Sequence, residues 1–141
     1  MADAAEDCPD LVVPATLQSL PDLAQWVADL ARRFQLSPAT VYRVDLALSE
    51  LITNLIAYGY PDGRPGMVSL HCWQHSERLR IRIVDDGAAF DPTTYVPPDL
   101  PGSLEAATEG GRGLRLVRHF SDELQYTRLD AGNQLTLAFD T

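Results

Sequence analysis

Lysine is absent from this 141-residue sequence, so every one of its 11 basic residues is arginine. That excludes a phosphate-binding loop of the Gly-Lys-Ser/Thr type, whose chemistry needs an ammonium against the phosphates. Positive charge is scarce in general: 20 acidic residues leave a formal net charge of −9. With no basic cluster to offset it, phosphate backbones and anionic membrane surfaces are repelled, and neither nucleic acid nor membrane is expected as a direct partner. The two cysteines, Cys8 and Cys72, are too few and too far apart in the sequence for a disulfide framework or a zinc site, and they fit a reduced, cytoplasmic setting. No apolar run is long enough to span a bilayer. Met1 to Asp10 lacks the basic start and apolar run of a signal peptide and is expected to be a flexible acidic tail ahead of one domain, residues 11–141.

What is present suffices for a single core, since 45% of the residues are hydrophobic. Leu11 to Leu17 is a short apolar run that reads as a strand. Ser19, with Asp22 three residues on, marks a helix start. Leu23, Trp26, Val27, Leu30, Ala31 and Phe34 then recur at three- and four-residue steps, giving one apolar stripe that stops near Gln35. Ser37-Pro38 repeats the start signal, and a second helix is expected from Pro38 to about Ala57, with Val41, Val44, Leu48, Leu51, Ile52 and Leu55 on its apolar side. Met67 to Trp73 and Leu79 to Val84 alternate as two strands joined by the polar Gln74 to Glu77. Asp86 to Glu109 is too irregular for an element and too long for a casual connection, as expected of a functional lid or of a disordered segment. A short helix over Gly113 to Phe120 and a closing hairpin, Glu123 to Arg128 with Gln134 to Phe139, complete the chain. The order predicts an α+β fold in two layers, a mostly antiparallel sheet with helices on one face.

Three stretches carry residues suited to chemistry. Glu50 and Asn54 stand four apart on the second helix, so a carboxylate and an amide share one face, either to hold a ligand or as an ordinary exposed polar face. Asp85-Asp86-Gly87 follows a strand directly. A carboxylate there can accept from a purine amine while Gly87 allows close approach to the backbone, although Asp-Gly is also a common turn. Gly110-Gly111-Arg112-Gly113 opens a helix, where unpaired backbone N–H groups and the helix dipole favour an anion; a plain hinge reads the same way.

Taken together and in this order, the three stretches resemble the ATPase family of gyrase, Hsp90, histidine kinases and MutL, the Bergerat fold. The match is closest to the branch of anti-sigma-factor serine kinases, RsbW- and SpoIIAB-like. Ser49 to Asn54 carries the Glu-x-x-x-Asn box, Asp85 to Pro92 the Asp-x-Gly-x-x-Phe-Asp-Pro box, Gly111 to Leu114 the Gly-x-Gly-Leu box, and Gly132 to Leu137 looks like the last hairpin of the branch. The resemblance covers Val12 to Phe139 and implies ATP and Mg²⁺ as cofactors. It implies Asn54 as the Mg²⁺ ligand, Glu50 as the catalytic base, and Asp85 as the reader of adenine with Gly87 permitting its approach. It implies Gly111, Gly113 and Leu114 around the phosphates. Ala89 and Tyr58 depart from the family pattern without removing a ligand atom. Thr108-Glu109 stand where relatives carry a basic residue, and Arg112 is the candidate to supply that charge.

The function so implied is that of a protein-serine/threonine kinase acting on a small anti-sigma antagonist of the STAS type. Sigma-factor sequestration and a homodimer are further implications of the same resemblance. The alternative is a nucleotide-dependent binding module without phosphoryl transfer. A histidine-kinase catalytic half is disfavoured, because no phospho-acceptor helix accompanies His71, His75 and His119.

Overall fold

A computed structural model describes residues 6–93 and 116–141. Strand β1 is Glu6–Asp7, β2 is Leu11–Pro14, and the helices are α1, Leu20–Arg33, and α2, Pro38–Tyr58. The hairpins β3, Met67–His75, with β4, Arg78–Asp85, and β5, Glu123–Leu129, with β6, Gly132–Asp140, follow. Residues 116–120 are helical.

All described strand pairings are antiparallel. The sheet runs β1-β3-β4-β6-β5, and β2 shares the outer edge of β3 with β1. The period-two pattern places Val68, Leu70 and Cys72 of β3, Leu79, Ile81 and Ile83 of β4, and Leu135, Leu137 and Phe139 of β6 on one face. Against that face lie Leu23, Trp26, Val27 and Leu30 of α1 and Val44, Ala47, Leu48, Leu51 and Ile52 of α2, which complete a single core. The expected two-layer α+β architecture is therefore the observed one.

Local signals resolve differently at the two helix starts. Ser37 is extended, and its hydroxyl accepts from the Thr40 N–H at 3.2 Å, capping α2 with Pro38 at its first position. Ser19, expected to cap α1, makes no cap bond. A 3₁₀ turn at Leu17–Ser19 already leads into the helix, and the Ser19 hydroxyl donates instead to the Pro14 carbonyl at 2.7 Å. Helix α1 ends through Gln35 at φ 52°, with Leu36 N–H bonding the Ala31 carbonyl at 3.0 Å and Gln35 N–H the Arg32 carbonyl at 3.3 Å, a Schellman-type termination.

The β3–β4 loop is tighter than expected. Gln74 and His75 are still paired, and only Ser76 and Glu77, at φ 51° and 60°, make the turn. Order also begins inside the acidic start of the chain. Glu6 and Asp7 pair with Gln74 and Trp73, the Pro9 carbonyl accepts from Trp26 Nε1 at 2.8 Å, and Asp10 meets His71 at 2.6 Å. At the opposite edge Arg43 of α2 reaches Asp122 at 3.3 Å and the Asp140 carbonyl at 2.8 Å, tying the helix layer to the last strand.

Candidate functional site

The pocket that brings the expected residues together lies where the C-terminal half of α2 crosses the ends of β4 and β6. It is lined by Asn54, Leu55 and Tyr58 of α2 and by Asp85, Ala88, Phe90, Tyr126 and Asn133. Asp85 is there because it continues the inward-facing phase of Ile81 and Ile83 to the last residue of β4. Its Oδ1 accepts from the Gly87 N–H at 2.8 Å and from Asn133 Nδ2 at 3.0 Å. Both bonds hold the carboxylate in one orientation. Its second oxygen makes no protein hydrogen bond among the described residues, which leaves an acceptor for a ligand N–H.

Gly87 serves packing as much as ligand access. A Cβ at this position would fall 2.9 Å from the Gly59 carbonyl oxygen, the same oxygen that accepts from the Ala88 N–H at 2.8 Å. The loop after β4 is thereby docked on the C-terminal end of α2, and Ala88 rather than Gly87 forms the pocket wall. Gly132 is tighter still: a Cβ there would lie 1.9 Å from the Asp85 carbonyl oxygen.

Asn54 supplies the most informative atom. Its Nδ2 is buried and has no hydrogen-bond partner among the described residues, a condition native interiors tolerate poorly. Rotation of the amide exchanges nitrogen and oxygen, so the position offers either a donor or a carbonyl-type oxygen, the hard ligand that Mg²⁺ accepts alongside phosphate oxygens. The residues present fit a metal-bound nucleotide on that observation. Glu50, one turn earlier on α2, is half-buried and not part of the pocket wall. The lid and its Gly111, Arg112, Gly113 and Leu114 lie outside the described residues.

Asn133 escapes a reading of the sequence. It is 5% exposed, in phase with Leu135, Leu137 and Phe139, and directly opposite Asp85 in the β4–β6 register. Its Nδ2 donates to Asp85 and to the Ala88 carbonyl at 2.9 Å, while its Oδ1 accepts from the Phe90 N–H at 3.2 Å and from the Tyr126 hydroxyl. One side chain thus orients the carboxylate, the loop beyond it and an aromatic wall. A polar residue in the inward phase of an otherwise apolar strand is the signal that finds it.

Beside the pocket, the Tyr60 hydroxyl donates to Asp86 Oδ1 at 2.6 Å, and the same oxygen accepts from the Met67 N–H at 3.0 Å. The Tyr60 bond first, then the Met67 bond and the Arg64 charge, hold the Asp86 carboxyl below its ordinary range. Burial first, and then Asp86, push the Tyr60 hydroxyl well above its usual range. Asp85 and Asp86 therefore do different work: the first faces the pocket, and the second braces the chain between α2 and β3.

Residues 13–139 match the model of the histidine kinase-like ATPase domain. The chain is 36% identical over 131 residues to the serine/threonine-protein kinase BtrW of Bordetella bronchiseptica, covering 93% of this chain and 91% of that protein. It is 24% identical over 120 residues to the serine-protein kinase RsbW of Bacillus cereus, covering 82% of this chain and 74% of that one. Among solved structures, the RsbU and RsbW domains of Rv1364c from Mycobacterium tuberculosis superpose with a TM-score of 0.65 at 15% identity, over 94% of this chain and 32% of that one. The histidine kinase domain of the blue-light activated kinase EL346 from Erythrobacter litoralis gives 0.57 at 23% identity, over 87% of this chain and 59% of that one. At those identities the structures speak for the fold, whereas the extent of the domain match and of the BtrW alignment speaks for descent: the chain belongs to the histidine kinase-like ATPase family and is homologous to the RsbW-like kinases.

Proposed function

We propose that this chain binds Mg-ATP and phosphorylates a serine or threonine of a small STAS-type anti-sigma antagonist, as a cytoplasmic anti-sigma regulatory factor. The observation that carries the reading is the buried Asn54 amide nitrogen, without a partner among the described residues, in the same pocket as the oriented Asp85 carboxylate. The similarity to BtrW, a serine/threonine-protein kinase, and RsbW, a serine-protein kinase, supports the reaction class. In this reading Asp85 accepts the adenine amine, and Tyr126 and Phe90 wall the ring. Asn54 holds the metal, and Gly111, Gly113 and Leu114 present backbone to the phosphates with Arg112 as the added cation. Bound Mg-ATP supplies the phosphoryl group and the charge neutralisation that its transfer requires. Glu50 orients the incoming hydroxyl and takes its proton. Sigma-factor sequestration and a homodimer extend the same reading.

The second reading, an ATP-gated binding module without transfer, is favoured by one observation: Glu50 stands outside the wall of the described pocket. Calorimetry with Mg-ATP and phosphorylation assays with a STAS-domain substrate separate the two. Wild type is expected to bind and transfer, Asn54→Ala to lose Mg-dependent binding, and Glu50→Ala to bind but not transfer. Absence of Mg-ATP binding by the folded protein removes both readings. Wild-type transfer by Glu50→Ala removes the base assignment.

A further inference from the structure

Cys8 and Cys72 are 64 residues apart in the chain and touch in the fold. The β1–β3 register pairs Glu6 with Gln74 and Asp7 with Trp73, and one more step sets Cys8 opposite Cys72. The Cys8 N–H donates to the Cys72 carbonyl at 3.2 Å, and the Cys8 thiol lies 3.6 Å from the same oxygen. Opposed residues of an antiparallel pair send their side chains to the same face. In a hydrogen-bonded pair their Cα atoms are about 5.5 Å apart, inside the span that a disulfide bridges. Both thiols sit on the helix-covered face within the core cluster, Cys8 at 7% and Cys72 at 0% exposure, and they are not joined in a disulfide.

The two differ in access. A surface pocket formed with Pro9, Trp26 and Arg33 reaches Cys8, whereas Cys72 lies beneath it on the neighbouring strand. The Cys8 thiol is held below its ordinary pKa, foremost by the hydrogen bond with the Cys72 side chain and further by the charges of His71 and Arg33, against the opposing effect of burial. A thiolate fraction at the accessible member of a contacting pair is the arrangement that stepwise thiol oxidation requires.

We propose that Cys8 and Cys72 form an oxidation site, at which a small hydroperoxide reacts with Cys8 and Cys72 then closes an intrachain disulfide. In the first step the Cys8 thiolate attacks one peroxide oxygen and the O–O bond breaks. The departing oxygen takes a proton and leaves as water, or as an alcohol from an alkyl hydroperoxide, and Cys8 becomes a sulfenic acid. In the second step the Cys72 sulfur attacks the Cys8 sulfur, the S–O bond breaks, and the Cys72 proton leaves with the hydroxyl as water. With hydrogen peroxide, two thiols and one peroxide yield one disulfide and two waters; two electrons pass from sulfur to oxygen. The bond staples a two-residue edge strand, otherwise free to fray, to the strand next to the centre of the sheet.

The test uses the full reduced chain and hydrogen peroxide in modest excess, read by thiol titration in denaturant, intact mass and non-reducing electrophoresis. The expected result is loss of both thiols, a mass lower by two hydrogens and a monomeric band. The thermal midpoint is expected to rise by about 5–10 °C and to return on treatment with dithiothreitol. Under the same peroxide, Cys72→Ser is expected to take up dimedone at Cys8, and Cys8→Ser to leave Cys72 unlabelled. Two persistent thiols, added oxygens without a cross-link, or a disulfide between chains would each overturn the proposal. The wild-type measurement decides it even if Cys72→Ser does not fold.

Discussion

Asn133 on β6 faces Asp85 on β4 across their shared register and donates to its carboxylate at 3.0 Å. The same amide nitrogen holds the Ala88 carbonyl, and the amide oxygen receives the Phe90 N–H. Preorganisation of the pocket-facing carboxylate therefore comes from a residue 48 positions downstream of it.

Replacing Asn133 by alanine removes a hydrogen bond to a charged group, a contribution of about 1.5–3 kcal/mol, and releases the loop after β4. We expect the thermal midpoint to fall by about 5 °C and ATP affinity to fall about tenfold, with the chain still folded. Asn133→Asp should be worse in both respects, since it sets a second carboxylate against Asp85. Unchanged ATP affinity in folded Asn133→Ala would show that Asp85 needs no such support.

Three glycines predict a graded series. A Cβ at Gly132 meets backbone at 1.9 Å, one at Gly87 meets backbone at 2.9 Å, and one at Gly63 meets nothing within 4 Å, although its φ of 76° still strains alanine. Gly132→Ala has to part β6 from the end of β4 and should be the most destabilising, beyond the 1–3 kcal/mol typical of overpacking. Gly87→Ala should be intermediate, with its loss concentrated on nucleotide binding. Denaturant midpoints rank the three; a Gly132→Ala that is not the least stable of them contradicts the close approach at Gly132.

The Tyr60–Asp86 brace predicts a pH dependence of stability. The folded-state pKa of Asp86 is depressed, so its contribution is present above the ordinary carboxylate value near 3.9 and is lost as pH falls below it. The Tyr60 pKa is raised, so its protonated form stabilises the fold below its unfolded value near 10, and stability declines as pH rises past that point. Asp86 is half exposed, which moderates both effects. Thermal midpoints of Tyr60→Phe against wild type should converge toward pH 3 and lose the decline above pH 10. Parallel curves would show that the bond contributes nothing.

Most of the fold is legible because its determinants are local and periodic. The apolar stripe of α1, the Ser37-Pro38 start of α2 and the alternation of β3, β4 and β6 each follow from neighbours within a few residues. The strand β1 is not legible, since Glu6 and Asp7 have no strand propensity and are held by backbone pairing to an edge supplied 67 or so residues later. Ser19 misleads for a related reason: the capping rule describes a residue at the helix start, and the preceding 3₁₀ turn had already formed one. Within the site, Asn54 and Asp85 stand out by spacing and by position at a strand end, whereas the role of Asn133 exists only once β6 lies beside β4.

Asn54 separates stability from function. Its amide nitrogen is buried without a partner among the described residues, which sets against the apo fold the desolvation penalty of a polar group, about 1–3 kcal/mol, that a ligand would relieve. Asn54→Leu keeps the branched shape of the amide beside Leu51, Leu55 and the pocket without burying a polar atom. We expect its thermal midpoint to equal or exceed that of wild type by a few degrees in the absence of nucleotide, while Mg-ATP no longer raises it. For wild type the expected upward shift grows with nucleotide concentration, because the ligand binds only the folded chain. A less stable Asn54→Leu would mean that the amide is satisfied within the apo protein, and an undiminished nucleotide shift in that variant would remove Asn54 from the binding site.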